Sequence, residues 1–105
     1  MSDTLARLEA TIASRKGADP ASSYVASLFA KGRPKIARKL GEEAVETIVA
    51  ALAEDKAELI GEAADTIFHL MVLLADAGVA LADVLAELER REGTSGHDEK
   101  AARPA

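Results

Sequence analysis

The sequence predicts an all-α protein. Alanine supplies 23 of the 105 residues, and aromatic residues are limited to Tyr24, Phe29 and Phe68. β-Branched residues are comparatively sparse, and apolar residues recur at helical rather than alternating spacing. Alanine is the strongest intrinsic helix former, whereas strands draw on the residue types that are scarce here. A chain of 105 residues suits one domain. A core of that size leaves much surface in water, so oligomerisation is a natural source of further burial.

Five helices are expected. Ser2, Asp3 or Thr4 caps the first, whose stripe is Leu5, Leu8 and Ile12, and Gly17 marks its end. Asp19-Pro20 starts the second, with Val25, Leu28 and Phe29 inward, and Gly32 ends it. Pro34 suits the first turn of a third, where its missing N–H costs little. This helix runs to about Ala53 with Val45, Ile48, Val49 and Leu52 as its stripe. Gly41 within it costs about 1 kcal/mol relative to alanine and marks either a close backbone approach or a plain kink. Asp55 caps a fourth helix that ends near Ala77, before Gly78. The fifth runs from about Leu81 to just before Gly93. There the periodicity stops, and GTSGHDEKAARPA reads as a mobile tail. The organisation expected is a domain over 1–92 and a tail over 93–105.

Cysteine is absent, which removes disulfides, thiolate zinc sites and cysteine nucleophiles together. With three aromatic residues and no Trp, a nucleic-acid surface built on stacked bases is not expected. No apolar run approaches the roughly 20 residues of a membrane span, and MSDTLARLEA lacks a charged-then-apolar leader pattern. The expectation is a cytoplasmic protein with neither a nucleic-acid nor a membrane partner.

The net charge of −5 is unevenly placed: residues 1–41 hold eight bases and three acids, and residues 42–92 hold three bases and thirteen acids. Lys31, Arg33, Lys35, Arg38 and Lys39 run directly into Glu42, Glu43 and Glu46. Two solvated helix faces of opposite sign explain this, and so does a site holding polyphosphate and metal side by side. The fourth helix bears on the choice. Leu59, Ile60, Ala63, Ile67, Phe68, Leu70, Met71, Val72, Leu73 and Leu74 cover nearly its whole circumference, the pattern of a buried helix. Yet Glu58, Glu62, Asp65, His69 and Asp76 fall within about 60° of one another at 100° per residue. Charges are not buried without compensation, so this lane faces water, a basic partner or a cation.

Glu43 and Glu46 are three residues apart, as are Glu62 and Asp65, and residues so spaced lie one above the other on a helix. Glu42 joins the same side, four residues from Glu46. The short link through 54–56 makes the two helices antiparallel neighbours, so two carboxylate pairs face each other across a hairpin. A divalent cation offsets their repulsion economically. Carboxylates without cysteine favour a hard ion, and Mg²⁺ shares its coordination with waters and substrate phosphates. Helical di-iron sites use Glu-x-x-His pairs, whereas the pairs here are Glu-x-x-Glu and Glu-x-x-Asp. His69, four residues after Asp65, either orients that carboxylate, packs between helices on a local partner, or ligates the ion itself. His97 belongs to the tail and to solvent.

Glu42-Glu43-x-x-Glu46 followed by Glu62-x-x-Asp65 resembles the EExxE…ExxD signature of the all-α nucleoside-triphosphate pyrophosphatase superfamily. RKGADPASSY (15–24), KLGEEAVE (39–46), GEAADTIFHLMVLL (61–74) and GTSGHDEKAAR (93–103) narrow the resemblance to the phosphoribosyl-ATP pyrophosphatase family of histidine biosynthesis. It covers about residues 5–103. The resemblance implies Mg²⁺-dependent cleavage of phosphoribosyl-ATP between the α- and β-phosphates, giving phosphoribosyl-AMP and pyrophosphate. Some members carry a fused zinc-dependent cyclohydrolase; this chain lacks the length and the cysteines for it, so one step is expected.

Such hydrolysis needs charge neutralisation and a placed water more than covalent help. With the resemblance in hand, Glu43, Glu46, Glu62 and Asp65 are assigned to the metal. Glu42 is assigned to orienting or deprotonating the attacking water, so that Glu42, Glu43 and Glu46 form the catalytic set. Lys31, Arg33, Lys35 and Lys39 are the expected phosphate contacts, joined by Lys100 from the tail. Gly93-Thr94-Ser95-Gly96 suits backbone anion binding, so the tail either closes over the phosphoribosyl end or is a plain disordered terminus. Tyr24 is either a stacking residue or part of the core. Two other readings stand. One is the same site acting on another (deoxy)nucleoside triphosphate, since carboxylates meet only metal and phosphate. The other is a helical adaptor with an acidic groove. Because the other short helices do not cover the fourth on all sides, the expected assembly is an obligate homodimer. Its third and fourth helices form a four-helix core with those of the second subunit.

Overall fold

The computed structural model describes residues 3–93 and 96–103. Among them are six helices and no strand: α1 (Asp3–Ser14), α2 (Tyr24–Lys31), α3 (Arg33–Leu52), α4 (Lys56–Ala77), α5 (Leu81–Arg91) and α6 (Gly96–Ala102). The all-α expectation holds, with one helix more than expected. Ser2, one of three possible caps for α1, lies outside the described residues, as do Thr94 and Ser95 of the tail.

Local chemistry sets most boundaries. The Asp55 side chain accepts the Glu58 N–H at 3.0 Å and caps α4. Gly78 closes that helix in the left-handed region at φ 72°. Gly32 separates α2 from α3 at φ 94°, and Pro34 lies in the first turn of α3. Two expectations are corrected. Asp19-Pro20 does not start α2: the Asp19 carboxylate accepts the Ala21 N–H at 3.0 Å and holds a turn. The cap is Ser23, whose hydroxyl accepts the Ala26 N–H at 3.1 Å. The stretch after Gly93, expected as a mobile tail in which the helical pattern stops, contains α6. Lys100, Ala101 and Ala102 are strong helix formers, a preference hidden in the sequence by the neighbouring glycines.

The α3–α4 hairpin is the frame. Its helices have 20 and 22 residues, against 12 and 8 for α1 and α2. α1 packs on α4 and α2 on α3, and helices this short reach over only the open end of the hairpin. The core of Ile12, Val25, Leu28, Ile36, Met71, Val72 and Leu81 forms there. Toward the hairpin tip Val45, Ile48, Val49, Leu52, Ile60 and Ile67 are 45–80% exposed. The predicted stripe on α3 is thus present but uncovered. α4, read as buried nearly all round, is enclosed by its own chain only over part of its length. At Gly41 an added methyl group meets nothing within 4 Å, so no close approach within the chain accounts for that glycine. Among the described residues no single helix is long and apolar enough to cross a membrane.

Candidate active site

Two contacts display the register of the hairpin. At its open end Arg33 Nε donates to Asp76 Oδ2 at 2.8 Å and Arg33 Nη2 donates to the Asp76 carbonyl at 3.1 Å. Nearer the tip the Thr47 and Thr66 hydroxyls meet at 2.8 Å. Beside that second contact Glu43, Glu62 and Asp65 bring carboxylate oxygens within 4.8 Å of one another. The facing arrangement expected from the two i,i+3 pairs is therefore formed for three of the four acids. Glu46 is exposed and lies beside Glu62. With Val49, Ala50, Ala53, Glu58 and Glu62 it lines a cleft of about 210 Å³.

The electrostatics of this cluster favour a cation. Glu43 Oε2 and Glu62 Oε2 are shut off from solvent and accept no hydrogen bond from the described residues. A carboxylate oxygen buried without a donor is costly. Burial, together with the Glu46 and Glu43 carboxyls, pushes the Glu62 carboxyl up to about 7 from the ordinary 4.5. An all-oxygen donor set of this kind fits a hard divalent ion. A base stands next to it: Lys39 Nζ is 3.4 Å from Glu42 Oε1 and 3.8 Å from Glu43 Oε1. Burial works against the Lys39 charge, but the hydrogen bond to Glu42 and the fields of Tyr24, Glu42 and Glu43 outweigh it and hold the ammonium above its usual value.

A family model described as phosphoribosyl-ATP pyrophosphohydrolase matches residues 5–92. The chain belongs to the phosphoribosyl-ATP pyrophosphohydrolase family. It is a hydrolase, and the resemblance carried by its motifs holds. A protein of Rhizorhabdus wittichii is 71% identical over 104 residues, covering 99% of this chain and 98% of that one. One of Erythrobacter litoralis is 66% identical over 101 residues, covering 96% and 97%. One of Zymomonas mobilis is 62% identical over 102 residues, covering 97% and 95%. All three are named phosphoribosyl-ATP pyrophosphatase.

In this member of the phosphoribosyl-ATP pyrophosphohydrolase family the remaining expected site residues are spread along the hairpin. Glu42 sits at the rim, its side chain 51% exposed and held by Lys39. Arg33 is engaged by Asp76, eleven residues after Asp65 on α4, or about 16 Å along a helix rising 1.5 Å per residue. Asp76, placed by its spacing in the acidic lane, is thus paired with a base and stands apart from the cluster. Lys31 is in the last turn of α2, and Lys35 is near the start of α3, one turn before Lys39. Lys100 is exposed on α6 beside Gly96 and His97.

His69 is only 5% exposed. Its Nδ1 lies 2.7 Å from the Asp65 carbonyl and its Nε2 lies 2.8 Å from the Tyr24 hydroxyl. A carbonyl only accepts, so Nδ1 carries the proton and Nε2 accepts from Tyr24. Both nitrogens are occupied: His69 packs between helices, and its bond to Asp65 goes to the backbone carbonyl rather than to the carboxylate. Tyr24 is 51% exposed rather than part of the core, and its ring stacks on Phe68 at 6.2 Å between centroids. Thr47 and Thr66 were not singled out from the sequence. The available signal was a threonine four residues after each of Glu43 and Glu62.

Proposed function

We propose that the chain hydrolyses phosphoribosyl-ATP to phosphoribosyl-AMP and pyrophosphate at the α–β phosphoanhydride, with Mg²⁺, as the second step of histidine biosynthesis in the cytoplasm. One observation carries this reading: Glu43, Glu62 and Asp65 converge to within 4.8 Å beside Lys39, in a chain whose close relatives bear that enzyme's name. When bound, the ion neutralises phosphate charge as the anhydride breaks. Glu43, Glu62 and Asp65 hold it, with Glu46 closing the set from beside Glu62. Glu42, at the exposed rim, orients the attacking water or takes its proton. Lys39 meets a phosphate, and Lys31, Lys35 and Lys100 supply further positive charge. Arg33 joins them only by sharing its guanidinium with Asp76. The domain over 1–92 then builds the site, and the tail over 93–105 closes on the second ribose phosphate.

The active form is a homodimer whose two α3–α4 hairpins form a four-helix core. The uncovered face of Val45, Ile48, Val49, Leu52, Ile60 and Ile67 supports this, because complete burial of one such side chain is worth about 1.5–3 kcal/mol. Pyrophosphate release from phosphoribosyl-ATP, measured beside ATP and the common deoxynucleoside triphosphates with and without Mg²⁺, tests the reaction. The expected result is Mg²⁺-dependent release with phosphoribosyl-ATP strongly preferred. Preference for a common triphosphate overturns the substrate, and release without any divalent ion overturns the metal.

A further inference from the structure

Beneath the acid cluster lies a second set of contacts. Each of the three converging acids has its own backbone carbonyl bonded by the side chain four residues later. Thr47 Oγ1 donates to the Glu43 carbonyl at 2.9 Å, Thr66 Oγ1 to the Glu62 carbonyl at 2.9 Å, and His69 Nδ1 to the Asp65 carbonyl at 2.7 Å. A side-chain bond to the carbonyl four residues back ties down the turn that carries that carbonyl, and so holds the Cα–Cβ direction of the residue that owns it. Glu46, which stands outside the converging three, has alanine at the corresponding position, Ala50.

The contacts also cross between helices. The Thr47 and Thr66 hydroxyls meet at 2.8 Å, so two hydroxyl protons serve three contacts. Whenever one threonine donates across the hairpin it releases its own carbonyl, which keeps its helical N–H partner. α3 and α4 are thereby coupled at the level of the acids. His69 is held from its far side by the Tyr24 hydroxyl at 2.8 Å, while the Asp65 carbonyl, which only accepts, keeps the proton on Nδ1. Three carboxylates drawn together repel one another, and backbone anchoring of this kind opposes their splaying.

We propose that Thr47, Thr66 and His69, the last held by Tyr24, are positioning residues that aim the Glu43, Glu62 and Asp65 carboxylates at a divalent cation. The proposal rests on the reading of these acids as metal ligands and extends it to side chains that do not touch the ion. Its test is cation affinity in the absence of substrate, measured on the full chain with Mn²⁺ alone by electron paramagnetic resonance and with Mg²⁺ alone by calorimetry. Loss of groups that support ligands from behind typically weakens metal binding roughly 10–100-fold. Thr66→Val and Thr47→Val are each expected to do so, and to lower kcat at saturating Mg²⁺ with little change in KM. Thr66→Ser restores both. In the metal-free protein, ¹⁵N NMR is expected to show the His69 proton on Nδ1, where the Asp65 carbonyl accepts it, in both the wild type and Tyr24→Phe, with the Nε2 resonance shifted in the variant. Should Thr66→Val fail to fold, Thr47→Val and Tyr24→Phe, each lacking one hydroxyl, carry the same measurement. Wild-type cation affinity in the folded valine variants overturns the positioning role alone, as does a Thr66→Ser no better than Thr66→Val. A wild type that binds neither ion overturns the ligand reading and this proposal with it.

Discussion

Glu9 and Leu81 are joined across 72 positions of sequence: the Glu9 carboxylate accepts the Leu81 backbone N–H at 2.7 Å. α5 has no side-chain cap of its own, since Ala80 stands at its N-cap. Glu9 supplies the acceptor that a serine or aspartate gives locally, and it sets a negative charge at the positive end of the helix. Just past α1, Lys16 Nζ donates to the Ala75 carbonyl at 2.6 Å, near the end of α4. The first helix and its following turn thus secure both helix ends at the α4–α5 corner.

Glu9→Ala is therefore expected to destabilise the fold by about 0.5–2 kcal/mol, the range for losing a helix cap. Glu9→Gln, still an acceptor but uncharged, loses less. Urea unfolding checks the difference, and cation affinity stays at the wild-type value in both.

The uncovered hairpin face predicts assembly. Sedimentation at micromolar concentration is expected to give a dimer, and Ile48→Asp, which sets a charge in the apolar stripe, is expected to give a monomer of low activity. A stable and fully active wild-type monomer rules out the four-helix core.

Glu46→Gln keeps the size of the side chain and removes its charge. Turnover is expected to be lost while the melting temperature holds or rises, because Glu46 is one of the carboxyls that push Glu62 upward. The Glu62 carboxyl then titrates below about 7, as followed by ¹³C NMR. Near-normal turnover excludes Glu46 from the metal.

The raised Glu62 value also sets a pH dependence. Between the ordinary 4.5 and about 7, the folded metal-free protein binds more protons at this group than the unfolded chain does. Its contribution to stability therefore falls as pH rises through that window, the reverse of a salt-bridged carboxylate. Thermal melts of the metal-free wild type across this window are expected to decline relative to Glu62→Gln. Mg²⁺ added on the alkaline side restores the loss by binding the native state. A parallel pH course for the two proteins refutes the shift.

Truncation after Glu92 tests the tail. Folding and assembly are expected to persist, because the core residues all precede it. KM for phosphoribosyl-ATP is expected to rise far more than KM for a plain nucleoside triphosphate, which lacks the second ribose phosphate. Unchanged kinetics with phosphoribosyl-ATP reduce the tail, Lys100 included, to a terminus.

Much of this molecule is legible locally. Asp55, Gly32, Pro34 and Gly78 mark helix ends through bonds and dihedrals within a few residues of themselves, so they act alike in any tertiary setting. The pairs Glu43/Glu46 and Glu62/Asp65 share helix faces for the same reason. Where local signals competed, the reading failed: Asp19 spent its carboxylate on a turn, leaving Ser23 to cap α2, and glycines hid the helix over Gly96–Ala102.

By itself the sequence determined the helical class, the hairpin, the segregation of bases from acids and the motif that places the chain in its family. These follow from composition, from the order of charges along the chain and from neighbours three or four residues apart. Only the tertiary structure decided which charges meet. Arg33 faces Asp76, Glu43 converges with Glu62 and Asp65, and Glu46 lies beside Glu62. The Tyr24 hydroxyl meets His69 Nε2 across 45 positions of sequence, and the Tyr24 ring stayed half-exposed. The physical reason is distance. Ion pairing, burial and hydrogen bonding act through space over a few ångströms, and the hairpin register, rather than separation along the chain, determines which groups come that close.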